Sequence, residues 1–301
     1  MTQFDAEAAA GTAERADAAG TPARRGPPMI EITGLRKVYG QFEALSGISF
    51  TVSRGEIVGF LGPNGAGKST TMKIMTGLTP PSAGSAKVAG HDVLEEPLEV
   101  RRAIGYLPET PPLYPEMVVR DYLAFAAEIR GIGRSRRSAA IDAAVERCGL
   151  EEVHKRLVGN LSKGFRQRVG LAQSVIHDPQ VLILDEPTVG LDPTQVIEIR
   201  SIVRDIGRER TVILSSHILP EVQATCQRVV IINRGRIAAE GNLDELLVNH
   251  GSGNLVVTLA RPPDDPGLLS VPGVAAVRPM GHGRYRINPD PAPGAREELV
   301  R

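Results

Sequence analysis

The chain has 301 residues, 42% of them hydrophobic, which is enough apolar material for one large domain or one and a half. Its 35 basic and 35 acidic residues cancel, so no field of one sign favours nucleic acid or an acidic membrane. With aromatics at 4% and no tryptophan, stacking surfaces for bases are not expected either, and nucleic acid is not an expected partner.

Residues 1–28 are rich in Ala, Gly, Thr and Pro, lack aliphatic periodicity and end in Pro27-Pro28, the texture of a disordered tail. This start holds Asp5, Glu7, Glu14 and Asp17 and no hydrophobic block of signal-peptide type. No apolar run approaches the ~20 residues that cross a bilayer. The expectation is a soluble, cytoplasmic chain whose membrane role, if any, comes through a partner. From Met29 the pattern changes. MIEITGLRKVYG reads as a strand, and GISFTVSRGEIVGFLG as two strands around the Arg54-Gly55 turn. VLILD (181–185) and TVILSSH (211–217) are short continuous aliphatic runs that suit strands buried on both faces of a parallel sheet.

Helical stretches lie between these strands. KSTTMKIMTGL follows the first glycine loop, and PTQVIEIRSIVRDI (193–206) precedes TVILSSH, which reads as the last core strand. VRDYLAFAAEIRGI and AAIDAAVERCGL form a helical block near 118–150 that interrupts the alternation and reads as an inserted subdomain, about 110–178. Strand and helix alternation predicts an α/β fold with a mostly parallel sheet. After residue 250 the texture shifts again. Residues 251–301 hold strand-like NLVVTLA and RYRIN, many prolines and a helical start at AREELVR, and read as a small accessory β/α extension. Cys148 and Cys226 sit in helix-like stretches without CxxC spacing and read as free thiols in a reducing compartment.

Residues 62–70, GPNGAGKST, fit G-x-x-x-x-G-K-[ST]. Gly62, Pro63, Asn64, Gly65, Ala66 and Gly67 form a turn whose backbone N–H groups can point inward around phosphates. Lys68 supplies a charge to the β- and γ-phosphates, and the Ser69 hydroxyl, with Thr70 beside it, opens the helix at the Mg²⁺ position. The following helix aims its positive end at the same place. A chance glycine-rich turn is the competing reading, and the aliphatic strand before the loop and the helix after it argue against that. VLILDEPT (181–188) places Asp185 and Glu186 at the end of a buried strand, the edge where open α/β sheets bind ligands. Asp185 is positioned to hold Mg²⁺ and Glu186 to orient and deprotonate an attacking water.

In order, GPNGAGKST, IGYLPET, LSKGFRQR, VLILDEP, VGLD and LSSH resemble the nucleotide-binding subunits of ATP-binding cassette transporters, over roughly residues 29–245. The resemblance implies a P-loop NTPase core over 29–250, with an antiparallel β subdomain beside the mixed sheet and the inserted helical subdomain. It implies ATP and Mg²⁺ as ligands, and Lys68, Glu186 and His217 as catalytic groups, His217 contacting the γ-phosphate. It also implies that Tyr39 stacks on adenine, that Asp192 in VGLDP couples two active sites, and that Ser162 and Gly164 contact the nucleotide of a second copy. The expected assembly is a homodimer of cassettes on an integral membrane permease, at the cytoplasmic face of the inner membrane. IGYLPET, SKGFRQRVGLAQ and INRGRIAAEG resemble the subfamily that powers type-2 exporters, gliding-motility systems included. Rival readings are a soluble cassette ATPase acting on ribosomes or DNA, and an ATP-binding regulator that does not hydrolyse.

Two motifs depart from the family pattern, one at Glu109 and one in the loop LSKGFRQR. Glu109 stands where a glutamine usually contacts Mg²⁺ and senses the permease; a carboxylate can ligate the ion but cannot donate as an amide does. In LSKGFRQR, Lys163 and Phe165 replace a glycine-like position and a glutamine, while Ser162 and Gly164, which carry the phosphate contacts, remain. Ser162 also suits a helix N-cap.

Overall fold

Aliphatic runs without polar interruption set the centre of the molecule. The structure, a computed structural model, describes residues 28–243, 245–246, 255–258, 274–281 and 284–289. Strands β1 (Pro28–Tyr39), β2 (Phe42–Ser53), β4 (Ala83–Val88) and β5 (His91–Asp92) form an antiparallel sheet in the order β2-β1-β4-β5. The central sheet holds β3 (Ile57–Leu61), β6 (Ile104–Leu107), β7 (Val181–Leu184), β8 (Thr211–Ser216), β9 (Arg228–Asn233) and β10 (Arg236–Asn242), in the order β10-β9-β3-β8-β7-β6. Every pairing in it is parallel except β9 with β10, which closes one edge as an antiparallel hairpin.

All four residues of β7 are buried, and their alternation shows why the run lacks polar positions. Val181 and Ile183 enter one cluster with Phe60, Met72 and Ile74; Leu182 and Leu184 enter another with Val169, Val203 and Ile206. Period two sends neighbours to opposite faces, and both faces are dry. One face carries α1 (Lys68–Met75) and the antiparallel sheet. The other carries α6 (Pro193–Gly207) and the helical block. Short helices α2 (Pro97–Ala103) and α7 (Leu219–Thr225) complete the core.

The helical block lies between β6 and β7, as α3 (Val119–Ile129), α4 (Arg134–Arg147) and α5 (Lys163–Val175). Tyr122, Leu123, Ala127, Ile141, Val145 and Val169 form its interior. Cys148 and Cys226 are free and buried, and burial pushes both thiols up to about 12, so neither is a nucleophile at neutral pH.

The sequence reading needs correction at two places, the last core strand and Pro28. TVILSSH is not the last core strand: β9 and β10 follow, and β9 lies beside β3, far from it in sequence. The two strands around Arg54-Gly55 are present as β2 and β3, and they lie in different sheets, β2 in the antiparallel one and β3 in the central one. Pro28, expected in the tail, already belongs to β1, opposite Ser53. Within 251–301, β11 (Leu255–Thr258), β12 (Val274–Gly281) and β13 (Arg284–Pro289) form a three-stranded sheet in the order β11-β13-β12. NLVVTLA and RYRIN thus hold strands, and β12 joins them. The tail over 1–27 and the helical start at AREELVR lie outside the described residues.

Candidate active site

The glycine loop leaves β3 and enters α1. Gly67 caps that helix at φ 110°, and a methyl group built on it would lie 2.7 Å from Leu45 Cδ2 and 2.9 Å from the Ala44 carbonyl, so only glycine serves. Backbone bonds tie the loop to both sheets. Gly235 N–H donates to Ala66 O at 2.9 Å, and Ser46 N–H donates to Gly235 O at 2.9 Å. Arg234 and Gly235 carry φ of 47° and 72°, the conformation of the two-residue hairpin that joins β9 to β10.

Lys68 is only 5% exposed. Its Nζ donates to the carbonyls of Gly62 (2.7 Å) and Pro63 (3.3 Å) and lies 3.2 Å from Glu186 Oε1. The other Glu186 oxygen meets His217 Nδ1 at 2.9 Å. A carboxylate only accepts, so Nδ1 carries a proton in this arrangement. Glu186 thus bridges the two groups expected to face the γ-phosphate. Its backbone has φ 48°, a region few non-glycine residues adopt, and its N–H is held by Ser215 Oγ at 2.9 Å. Ser215 in turn donates to Asp185 Oδ1 at 2.6 Å, which also accepts from Ser69 Oγ at 3.3 Å. Parallel pairing of β7 and β8 makes this possible, because it ends both strands at the same edge.

A cleft of about 390 Å³ collects Asn64, Gly65, Gly67, Lys68, Ser69, Thr70, Glu109, Glu186 and His217, with Phe42, Ala44 and Val189. Gly62, Pro63 and Asp185 lie just behind its wall as partners of Lys68 and Ser69, and Ala66 is buried below the loop. Half-buried Tyr106 on β6 is pushed up to about 12 by burial and then by Asp185, so it stays a neutral phenol. Ser69 Oγ, the Asp185 carboxylate and Glu109 offer hard oxygen atoms on one side of the loop, a donor set that fits Mg²⁺.

Four expected residues stand elsewhere. Ser162 caps α5, accepting from Phe165 N–H at 3.3 Å, and Asp192 caps α6, accepting from Gln195 N–H at 3.0 Å. Gly164 and Asp192 line a second cavity, of about 570 Å³, with Phe165, Arg168, Gln195 and Glu198. The Gln195 side chain sits so close that a methyl on Gly164 would lie 2.4 Å from it. Tyr39 is not among the walls of the cleft; Lys37 Nζ covers its ring at 4.9 Å from the centroid. Phe42, opposite Tyr39 across the β1–β2 hairpin and 64% exposed, lines the cleft instead. Phe42, Ser215, Thr188 and Glu221 were not singled out from the sequence. Only Ser215 had a signal there, as the residue before SH in a strand end that must neighbour VLILDE.

Comparison with known proteins agrees with this geometry. Residues 45–189 match the ABC transporter family. The bacitracin transport ATP-binding protein BcrA of Bacillus licheniformis is 39% identical over 220 residues, covering 72% of this chain and 71% of that protein. The daunorubicin resistance ATP-binding protein DrrA3 of Streptomyces coeruleorubidus is 38% identical over 231 residues, covering 76% and 73%. Among solved structures, cbiO1 from Clostridium perfringens, part of the ABC transporter complex cbiONQ, superposes with a TM-score of 0.68 at 29% identity, covering 74% of this chain and 92% of that one. With its phosphate loop, strand-end carboxylates and histidine on that fold, the chain belongs to the ATP-hydrolysing, ATP-binding proteins of ABC transporters.

Proposed function

We propose that two copies of this chain pair head-to-tail, each ATP lying between the Lys68 loop of one and the Ser162 turn of the other. Their closure and hydrolysis would drive a separate membrane permease in export, from the cytoplasmic face of the membrane. The observation that carries this reading is the division of the expected contacts. Lys68, Glu186 and His217 meet in one cleft, while Ser162 and Gly164 stand outside it, so a single copy holds half of the phosphate ligands. Export rests on the motif wording and on relatives named for bacitracin transport and daunorubicin resistance. Among the described residues no helix is long and apolar enough to cross a membrane.

In the reaction, Glu186 accepts a proton from water as its oxygen attacks the γ-phosphorus, and the bond to the β–γ bridging oxygen breaks to give ADP and phosphate. Lys68 moves from its carbonyl partners to the phosphates and offsets their charge. His217 can hold Glu186 through Nδ1 and donate to phosphate through Nε2 only when both nitrogens carry protons. Ser69, Asp185 and Glu109 would hold Mg²⁺, which when bound neutralises the phosphate oxygens. Glu109, lacking an amide donor, alters the coupling to the permease; Glu109→Gln should change the permease-stimulated ATPase rate.

Glu186→Gln tests the reading. It should bind ATP, trap the closed pair and lose turnover by about 10²–10³, the scale for deleting a preorganised catalytic group. Solution scattering that finds this variant monomeric at saturating ATP, with the permease present, would remove the shared site.

A further inference from the structure

Beside the cleft, a second set of hydrogen bonds joins the two segments that carry Glu186 and His217. Thr188 Oγ1 donates to Glu221 Oε2 at 2.6 Å, and Ser216 Oγ donates to the same oxygen at 3.2 Å. Thr188 lies two residues after Glu186, and Ser216 lies one before His217. Both hydroxyls are buried, Thr188 at 7% and Ser216 at 1% exposure, so neither has water as a ready alternative. Ser216 Oγ also accepts from Ile218 N–H at 3.0 Å, which fixes the backbone on the far side of His217.

The contacts close into a ring. Glu186 runs through Pro187 to Thr188, across Glu221 to Ser216, on to His217, and back to Glu186 through the 2.9 Å bond at Nδ1. Glu221 has a firm base: the next residue, Val222, is fully buried against β3, where a methyl on Gly59 would lie 2.3 Å from Val222 Cγ1. A charged oxygen taking two hydroxyl donors makes stronger bonds than a neutral pair would. Glu221 is not among the residues that line the cleft.

We infer that Glu221 is a positioning residue: it clamps the strand ends of β7 and β8 so that Glu186 and His217 keep one mutual geometry through the catalytic cycle. The inference rests on the roles given to Glu186 and His217 above, and Glu186→Gln tests those roles separately. The strained backbone of Glu186 makes such a clamp necessary, because a residue at φ 48° stays there only when its surroundings hold it.

The test is steady-state ATPase kinetics on the full chain with its permease. Glu221→Ala should lower kcat about tenfold or more with KM for ATP changed by less than about threefold, the split expected when binding survives and alignment is lost. Glu221→Gln keeps an amide oxygen for both hydroxyls and should stay within about threefold of the parent. Added to Glu186→Gln, Glu221→Ala should change the residual turnover by less than about twofold, since groups that act as a unit are not additive. Parental kcat in Glu221→Ala, equal losses in the Ala and Gln variants, or multiplicative loss on the Glu186→Gln background would each overturn the inference. If Glu221→Ala does not fold, Thr188→Val decides, since it removes one bond and keeps the shape: a fall in kcat at constant KM supports the clamp, and unchanged kcat overturns it. Should Glu186→Gln alone keep full turnover, the role of Glu186 falls instead.

Discussion

The cleft around Lys68 and the region around Ser162 bear the same kind of chemistry and are built in opposite ways. In the cleft, functional side chains bind one another: Lys68 to Glu186, Glu186 to His217, Ser69 to Asp185. At Ser162 and Asp192, they bind their own helices as caps, and the two helix starts are packed together through Gln195 on Gly164. The first arrangement is a reaction centre awaiting a substrate. The second is a pair of capped helix starts packed against each other, which on the proposed reading face the nucleotide of another copy. If two copies pair as proposed, alignment of groups within a copy and a fixed shape between copies are separate requirements, met by separate parts of one domain.

Changes on each side should therefore separate. Lys68→Ala strikes the cleft hardest: ATP affinity of the single chain should fall about 10–100-fold, because bonds to a charged group contribute about 1.5–3 kcal/mol, and calorimetric titration measures it. The far end of α5 leads to His177, whose Nε2 meets the Ile104 carbonyl at 2.9 Å; burial, aided by Arg130, lowers it from 6.5 to about 4. Because the unfolded chain protonates first, the folded state keeps its full stability above about pH 6.5 and loses about 2–3 kcal/mol as pH falls towards 4. Urea melts across that range should show the slope, and His177→Gln should flatten it. Ser162→Ala removes only a cap, about 1 kcal/mol of stability. It should leave ATP binding to the single chain unchanged while lowering turnover of the paired protein, and loss of single-chain binding would erase the contrast between the two regions. Smallest is the rim: Phe42→Ala should raise KM for ATP by about threefold to tenfold, on the scale of one base stacked on an aromatic ring. Tyr39→Ala, measured alongside, tells which of the two rings takes the adenine.

The phosphate loop and the VLILDE strand were legible because local rules suffice there. A strand dry on both faces has no polar positions, and a phosphate cradle needs glycine and lysine at set spacings. Thr188 and Glu221 were not legible, because each gains its role only when β7 and β8 end side by side, and nothing near Glu221 in sequence marks it. Strand β9 was missed for a related reason: RVVIIN is aliphatic enough, but its neighbour β3 lies far upstream, so its place in the sheet is a long-range fact. Phe42 carries no local mark of a binding role, and only the hairpin register shows that it shares an end of the sheet with Tyr39.

The chain of backbone hydrogen bonds from Ala66 through Gly235 to Ser46 has one more consequence. It fastens the nucleotide grip to a turn of the central sheet and, through that turn, to the antiparallel sheet. A load on the phosphate loop is therefore shared by both layers, so the antiparallel sheet is coupled to the loop through hydrogen bonds as well as through packing.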